Sequence, residues 1–161
     1  MRTDQSRRKR VVAFDICNTL ADIVTVLDNR FGLRPRGVYH HPKVTSATFI
    51  AYPMIYGEAK PYKLAAALVW FMSLFFEVVY ITSRDESART VTEFWLTAHH
   101  FPRKKVYYGV SNKANLAKEL GVVLAFEDCP DEIRAYDMAG IKTIVPKRDY
   151  NLREQKTHFC I

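Results

Sequence analysis

Asp15 follows the apolar run Val11-Val12-Ala13-Phe14 and precedes Ile16-Cys17-Asn18-Thr19-Leu20-Ala21-Asp22, so a buried strand delivers a carboxylate to a polar turn. A carboxylate so placed suits a nucleophile or a metal ligand, although Asp also favours turns on conformational grounds alone. Three later landmarks raise its value. Val78-Val79-Tyr80-Ile81 ends in Thr82-Ser83-Arg84, Ser111-Asn112-Lys113 opens a helical pattern, and Val122-Val123-Leu124-Ala125-Phe126 ends in Glu127-Asp128. Each puts polar groups where a parallel sheet collects them, at the carboxyl edge of its strands or the start of the next helix.

The elements that must position these residues follow from periodicity. From residue 60 onward, apolar β-branched runs alternate with helical spacing, the pattern of βα units. Strands are expected near Val11–Phe14, Val78–Thr82, Val106–Gly109, Val122–Phe126 and Thr143–Val145. The fold class is therefore α/β, a Rossmann-like three-layer sandwich on a parallel sheet of about five strands. Pro61 suits a first helical turn, and the helix it opens carries Leu64, Leu68, Phe71 and Phe75 at spacings of three and four. A second helix over about Glu86 to Ala98 would put Val91, Phe94, Trp95 and Ala98 on one face. A third runs from Ser111 as N-cap to Gly121, and a fourth from Asp131 to Gly140, both glycines acting as stops.

Residues 23–60 break this rhythm with aromatics and turn formers, and an insertion of that size usually serves function. It is read as a small cap or lid over the carboxyl edge, whose Phe and Tyr residues either pack on the core or stack on a base. The 161 residues suffice for one domain, with residues 1–10 a basic arm and 152–161 a tail. A 48% hydrophobic content with 25% charged residues excludes a disordered chain. The most apolar window, Leu64 to Phe76, is shorter than a bilayer span and reads as a buried helix, so no membrane partner is expected. The net charge of +7, concentrated partly in Arg7-Arg8-Lys9-Arg10, favours an anionic substrate or partner, or simply keeps the chain soluble. No small-residue cleavage site follows Ser6-Arg7-Arg8, and Cys17, Cys129 and Cys160 form no disulfide framework, so the expected location is cytoplasmic. His99-His100 at a helix end is read as a favourable dipole contact.

Taken together, Asp15-Ile16-Cys17-Asn18-Thr19, Thr82 after the second strand, Lys113 opening a helix and Glu127-Asp128 after the fourth strand resemble the four ordered motifs of the haloacid dehalogenase superfamily of phosphatases. The resemblance spans roughly residues 11 to 151 and is strongest to the small deoxyribonucleotidase-type members. It rests there on Leu20-Ala21-Asp22, Ile81-Thr82-Ser83-Arg84, the helix with Thr92, Trp95 and Leu96, Phe126-Glu127-Asp128-Cys129-Pro130 and Tyr150-Asn151. It implies a Mg²⁺-dependent phosphohydrolase of a small phosphomonoester, with a nucleoside monophosphate as the favoured substrate. Asp15 would attack phosphorus and form an aspartyl-phosphate. Asp15, the Cys17 carbonyl and Asp128 would ligate Mg²⁺, with Glu127 holding a coordinated water. Thr82 would bind a phosphate oxygen and Lys113 would neutralise the phosphate and orient Asp15. Thr19, Ser83 and Arg84 are further substrate-binding candidates, Arg84 toward a second anionic group or in a helix-start salt bridge.

Cys17 departs from the family pattern, in which a second Asp protonates the leaving oxygen and later activates water. A thiol with an ordinary pKa near ~8.5 suits that double role poorly. Losing such a group typically costs ~10²–10⁴ in rate. Asp22, His40 or His41 would be alternative proton donors. Cys17 and Cys129, on strands adjacent in the family's sheet, are either a redox pair or two inert thiols. Two rival readings follow: a catalytically weak phosphate-binding module, and a phosphatase acting on nucleic-acid ends.

Overall fold

A computed structural model describes residues 9–161. Residues 1–8, most of the expected basic arm, lie outside the described part.

Strand β1 (Val11–Phe14) is followed by helices α1 (Ile23–Phe31), α2 (Ser46–Ala51), α3 (Ile55–Glu58) and α4 (Ala65–Phe75). Then come β2 (Glu77–Ile81), α5 (Arg89–Ala98) after a single 3₁₀ turn, β3 (Lys105–Tyr107), α6 (Lys113–Glu119), β4 (Val122–Phe126), α7 (Pro130–Met138), β5 (Lys142–Val145) and β6 (Phe159–Cys160). The strands form one sheet in the order β3-β2-β1-β4-β5-β6, parallel throughout. Strand order reverses between β1 and β4, and the crevice at the carboxyl ends of such a pair is where doubly wound sheets bind ligands.

The period of two along β1 divides the core. Val12 and Phe14 face a layer containing Val26, Ile55, Val69 and Trp95 of the first five helices, whereas Ala13 faces Ala114, Ala117 and Tyr136 of α6 and α7. Phe14 and Phe126 stack at 4.1 Å across β1 and β4. Apart from Val11 at the start of β1 and Val123 and Leu124 near the start of β4, these strands are buried on both faces, which is why they read as continuous apolar runs.

The structure departs from the sequence expectations in several places. A sixth strand, β6, lies within the expected tail; a strand of two residues gives no period to detect. Helix α4 starts at Ala65 rather than at Pro61, which instead bridges to Ala21. It buries Ala65, Val69 and Met72 and leaves Leu64, Phe71, Leu74 and Phe75 exposed, so the Leu64–Phe76 window is only half buried. A helix apolar on every side offers no stripe that selects a face; here the smaller Ala65 and Val69 meet the sheet. In α5 the buried set is Thr92, Trp95 and Leu96, with Phe94 exposed. Thr92 accepts a hydrogen bond from Arg84 Nη1 (3.0 Å) and Trp95 Nε1 donates to the Ala59 carbonyl (2.6 Å), and these two bonds set the rotation of the helix. Asn112, not Ser111, caps α6, and Pro130 rather than Asp131 opens α7. Gly121 and Gly140 adopt positive φ just beyond α6 and α7, as helix stops require.

Among the described residues no helix is long and apolar enough to cross a membrane. The 23–60 segment contributes Ile23, Val26, Leu27, Ile55 and Tyr56 to the core beneath it.

Candidate active site

The ends of β1 and β4 and the start of α6 converge on one buried group of charges. Lys113 Nζ donates to Asp15 Oδ1 (2.7 Å) and to Glu127 Oε2 (2.8 Å). Asp15, Glu127 and Asp128 each place a carboxylate oxygen within 4.8 Å of the others. All four side chains are buried. The backbone explains the convergence. Asp15 N donates to the Phe126 carbonyl and Glu127 N to the Ile144 carbonyl, so the sheet ladder continues through the residues that carry the acids.

Asp128 is held on three sides. Thr19 Oγ1 donates to its Oδ1 (2.8 Å), Tyr150 Oη to its Oδ2 (2.6 Å), and Asn151 Nδ2 to its carbonyl (3.0 Å). Glu127 Oε1 accepts from Cys129 N (3.1 Å). Asn18, at φ 58, turns the loop after β1, and its Oδ1 caps α1 by accepting from Ile23 N and Val24 N. Arg148 clamps that loop by donating twice to the Asn18 carbonyl (2.9 and 2.6 Å) while lying over the Tyr62 ring.

Burial sets the electrostatics. Desolvation, with repulsion from Asp15, pushes the Asp128 carboxyl up to about 7, against the pull of the Tyr150 and Thr19 hydrogen bonds. Burial likewise raises Glu127 well above the ordinary range, with Lys113 opposing. For Lys113 burial acts downward, but the Asp15 and Glu127 carboxylates outweigh it and hold the ammonium well above its usual value. Three carboxylates facing one ammonium in a dry site are under-neutralised. Hard oxygen ligands gathered in this way suit a divalent cation such as Mg²⁺.

This imbalance has a measurable consequence. With Asp128 raised to about 7 in the fold and near ~3.9 when unfolded, the native state holds the extra proton between those values. Its stabilising contribution is complete below the unfolded value and is lost as pH rises through the folded one. In thermal melts the metal-free protein should lose stability from about pH 4 to about pH 7, and Mg²⁺ should raise Tm more at about pH 8 than at about pH 5. Equal Mg²⁺ shifts at both pH values would contradict a carboxylate cation site.

The remaining candidates lie beside this group. Thr82 is fully buried after β2, and its Oγ1 accepts from Arg84 N (3.2 Å), which leaves its proton to donate. Ser83 is exposed. Arg84 is 1% exposed, lies over the Tyr56 ring at 4.1 Å and donates from Nε to Cys17 Sγ (3.2 Å). Its Nη2 is buried with no protein partner. Because the guanidinium fork is planar, the Nη2 hydrogen flanking Nε–H points to the Cys17 side as well. Burial pushes the half-buried Cys17 thiol up, against the lowering influence of Arg84. Cys129 is pushed up to about 12 by burial and by Glu127. Both are free thiols, and a raised pKa disfavours the thiolate that oxidation needs.

Two of the three alternative proton donors, Asp22 and His41, are engaged in other hydrogen bonds. Asp22 caps α1 by accepting from Thr25 N and also accepts from Tyr62 Oη. Buried His41 bonds to the Gly32 carbonyl and to Lys43 N, and exposed His40 stands edge-on to Tyr39. Sequence reasoning missed Tyr39, Tyr56 and Arg148, and used Tyr150 and Asn151 only for the resemblance. Tyr39 packs edge-on against Tyr150 at 5.1 Å, and its phenol is raised by burial and then by Asp128, Cys129, Asp15 and Glu127, which puts it beside the acids. Its one signal was an aromatic inside a turn-rich insertion.

No family model matches the chain, and no curated protein matches its sequence. Solved structures do match. They include a haloacid dehalogenase-like hydrolase from Streptococcus pneumoniae (TM-score 0.60, 14% identity, covering 94% of this chain and 93% of that one). A candidate phosphatase from Clostridium difficile superposes with TM-score 0.62 at 15% identity, over 96% and 95% of the two chains. A dehalogenase matches with TM-score 0.63 at 12% identity, over 95% and 92%. The chain thus has the fold of haloacid dehalogenase-like hydrolases.

Proposed function

We propose that this chain is a Mg²⁺-dependent phosphomonoester hydrolase that works through an aspartyl-phosphate on Asp15. One observation carries the reading: Lys113 bridges Asp15 and Glu127 at 2.7 and 2.8 Å, with Asp128 alongside, at the point where strand order reverses. The ammonium keeps Asp15 oriented, while Thr82 and Lys113 supply donors to the charge that spreads over the phosphoryl oxygens. Asp15, Glu127 and Asp128, with the Cys17 carbonyl, would hold Mg²⁺, which when bound offsets the repulsion between an anionic phosphate and a carboxylate nucleophile. The acidic cluster favours phosphorus over a carbon centre, because displacement of halide by a carboxylate has no need of two further acids beside the nucleophile.

In the first half-reaction a bond forms between Asp15 oxygen and phosphorus as the bond from phosphorus to the ester oxygen breaks, and that oxygen takes a proton from water. In the second, water attacks phosphorus, releases inorganic phosphate and restores the Asp15 carboxylate. Cys17 stands where a carboxylate would serve both steps, and its raised thiol keeps its proton. Hydrolysis of the phosphoenzyme therefore lacks a strong base and is the slow step. This same substitution supports the second reading, a module that binds metal and phosphate without turnover.

The test is hydrolysis of p-nitrophenyl phosphate and a nucleoside monophosphate panel, with Mg²⁺ or with a chelator. Mg²⁺-dependent phosphate release, including release from nucleotides, is the expected result. Phosphate binding without release would transfer the assignment to the binding module.

A further inference from the structure

The cleft between α5 and the edge strand β3, about 690 Å³, plays no part in the chemistry above. Helix α5 runs from the carboxyl edge of the sheet, where Arg89 lies over Tyr108 at 4.6 Å, to the opposite edge, where the turn 101–104 leads into β3. Its ten residues make the cleft about 15 Å long. Arg103, Lys104 and Lys105 form its far wall, and Phe94 stands 72% exposed on its helix wall.

The charge here is one-sided. Glu93 is the one carboxylate in the lining, and it is paired with Arg89, which also binds Glu86. Among the described residues no carboxylate pairs with Arg103, Lys104 or Lys105. Lys9 and Arg10 enter β1, two strands away from β3 and about 10 Å across, and exposed Glu77 opens the strand between them, so that edge of the sheet carries two cations against one carboxylate. Beyond the other end of the cleft, outside its lining, buried Arg84 Nη2 points to the Cys17 side of the candidate active site with no protein partner.

We propose that this cleft binds a single-stranded nucleic acid, so that the substrate is a phosphorylated oligonucleotide end whose chain lies along α5. Backbone phosphates sit on Arg103, Lys104 and Lys105, a base stacks on Phe94, and the strand rises past Arg89 to Arg84 and Asp15. Cations spaced along a groove with an exposed aromatic are what sequence-tolerant strand binding uses. An acidic peptide would meet the cations but has no planar group for Phe94 to stack on at each step. The substrate assignment rests on the phosphohydrolase reading; strand binding does not, and the two can be tested apart.

The experiment measures fluorescence anisotropy of a labelled single strand about ten nucleotides long, with the Asp15→Asn protein, across a salt series. Binding is expected to weaken with a log–log slope near about −2, as for three phosphate contacts on a single strand. Lys104→Glu/Lys105→Glu should weaken it at least about ten-fold at low salt. Phe94→Ala, on an exposed site that folding does not need, should weaken it about five-fold or more. In the Asp15 protein, kcat/KM should be higher for the 5′- or 3′-phosphorylated oligonucleotide than for the mononucleotide, and the charge-reversed variant should lose that preference. Binding unchanged by both variants, or binding of an Asp/Glu-rich peptide without the oligonucleotide, would overturn the proposal. Strand binding that responds to both variants, with no phosphate release from any ester, would leave the cleft standing and refute only the hydrolase reading.

Discussion

Replacing Asp15 by Asn is expected to reduce turnover of p-nitrophenyl phosphate by at least ~10⁴-fold, because the proposed covalent intermediate forms on this carboxylate. The replacement is nearly isosteric, and it removes one of the two carboxylates that share Lys113, leaving the 2.8 Å pair with Glu127 intact. It also relieves repulsion on Asp128, one of the causes that raise that carboxyl. The fold should therefore survive, and the melting temperature should stay within a few degrees of the parent. Loss of activity with the melting transition preserved separates the chemical role of Asp15 from a structural one. A variant that keeps more than about a tenth of parental turnover would show that some other residue attacks phosphorus.

The second large effect is expected at Lys113. Its ammonium is the cation that both Asp15 and Glu127 touch, and both pairs are buried. Lys113→Met preserves most of the volume and leaves three carboxylates facing one another. Removing one partner of a buried ion pair costs about 3–5 kcal/mol. For a domain of this size that is a fall in Tm of roughly 6–20 °C near neutral pH. Low pH should reduce the deficit, since protonated acids no longer repel, and Mg²⁺ should recover part of it by supplying the missing positive charge. Turnover should drop about 10²–10³-fold even with Mg²⁺, through loss of transition-state charge stabilisation. An unchanged Tm at neutral pH would mean that the three acids are not gathered as described.

How much of this was legible in the sequence depended on where each residue sits. Asp15, Thr82, Glu127 and Asp128 follow strands that are buried on both faces, and such strands announce themselves as unbroken apolar runs whose first polar residue marks the carboxyl edge. Lys113 was legible because a helix start follows β3, although the cap proved to be Asn112 rather than Ser111. The side chains that tune the site come instead from loops, and from the one-turn helix α3, too short to show a period. Arg148 and Tyr150 belong to the turn after β5, and Tyr39 and Tyr56 to the insertion. What brings them to the acids is tertiary packing, which no local spacing encodes. Helices α4 and α5 were misread for opposite reasons: α4 is apolar all round, so nothing marks its inner face, whereas in α5 a polar Thr92 is drawn inward by buried Arg84 and displaces Phe94 to the surface. That displacement placed an aromatic in the basic cleft.

The cysteine at position 17 ties the chemistry to an observable. With its thiol raised by burial and its sulfur engaged by Arg84 Nε, it cannot offer the carboxylate that would speed attack of water on the phosphoenzyme. The intermediate should consequently accumulate during turnover rather than vanish between fast steps. Mixing the protein with Mg²⁺ and p-nitrophenyl phosphate, quenching with borohydride and mapping the peptides by mass spectrometry reads this directly, since an acyl phosphate is reduced to an alcohol. Conversion of Asp15, and of no other acid, to homoserine is the predicted result. Steady release of phosphate with Asp15 unreduced at every time point would contradict covalent catalysis at this residue.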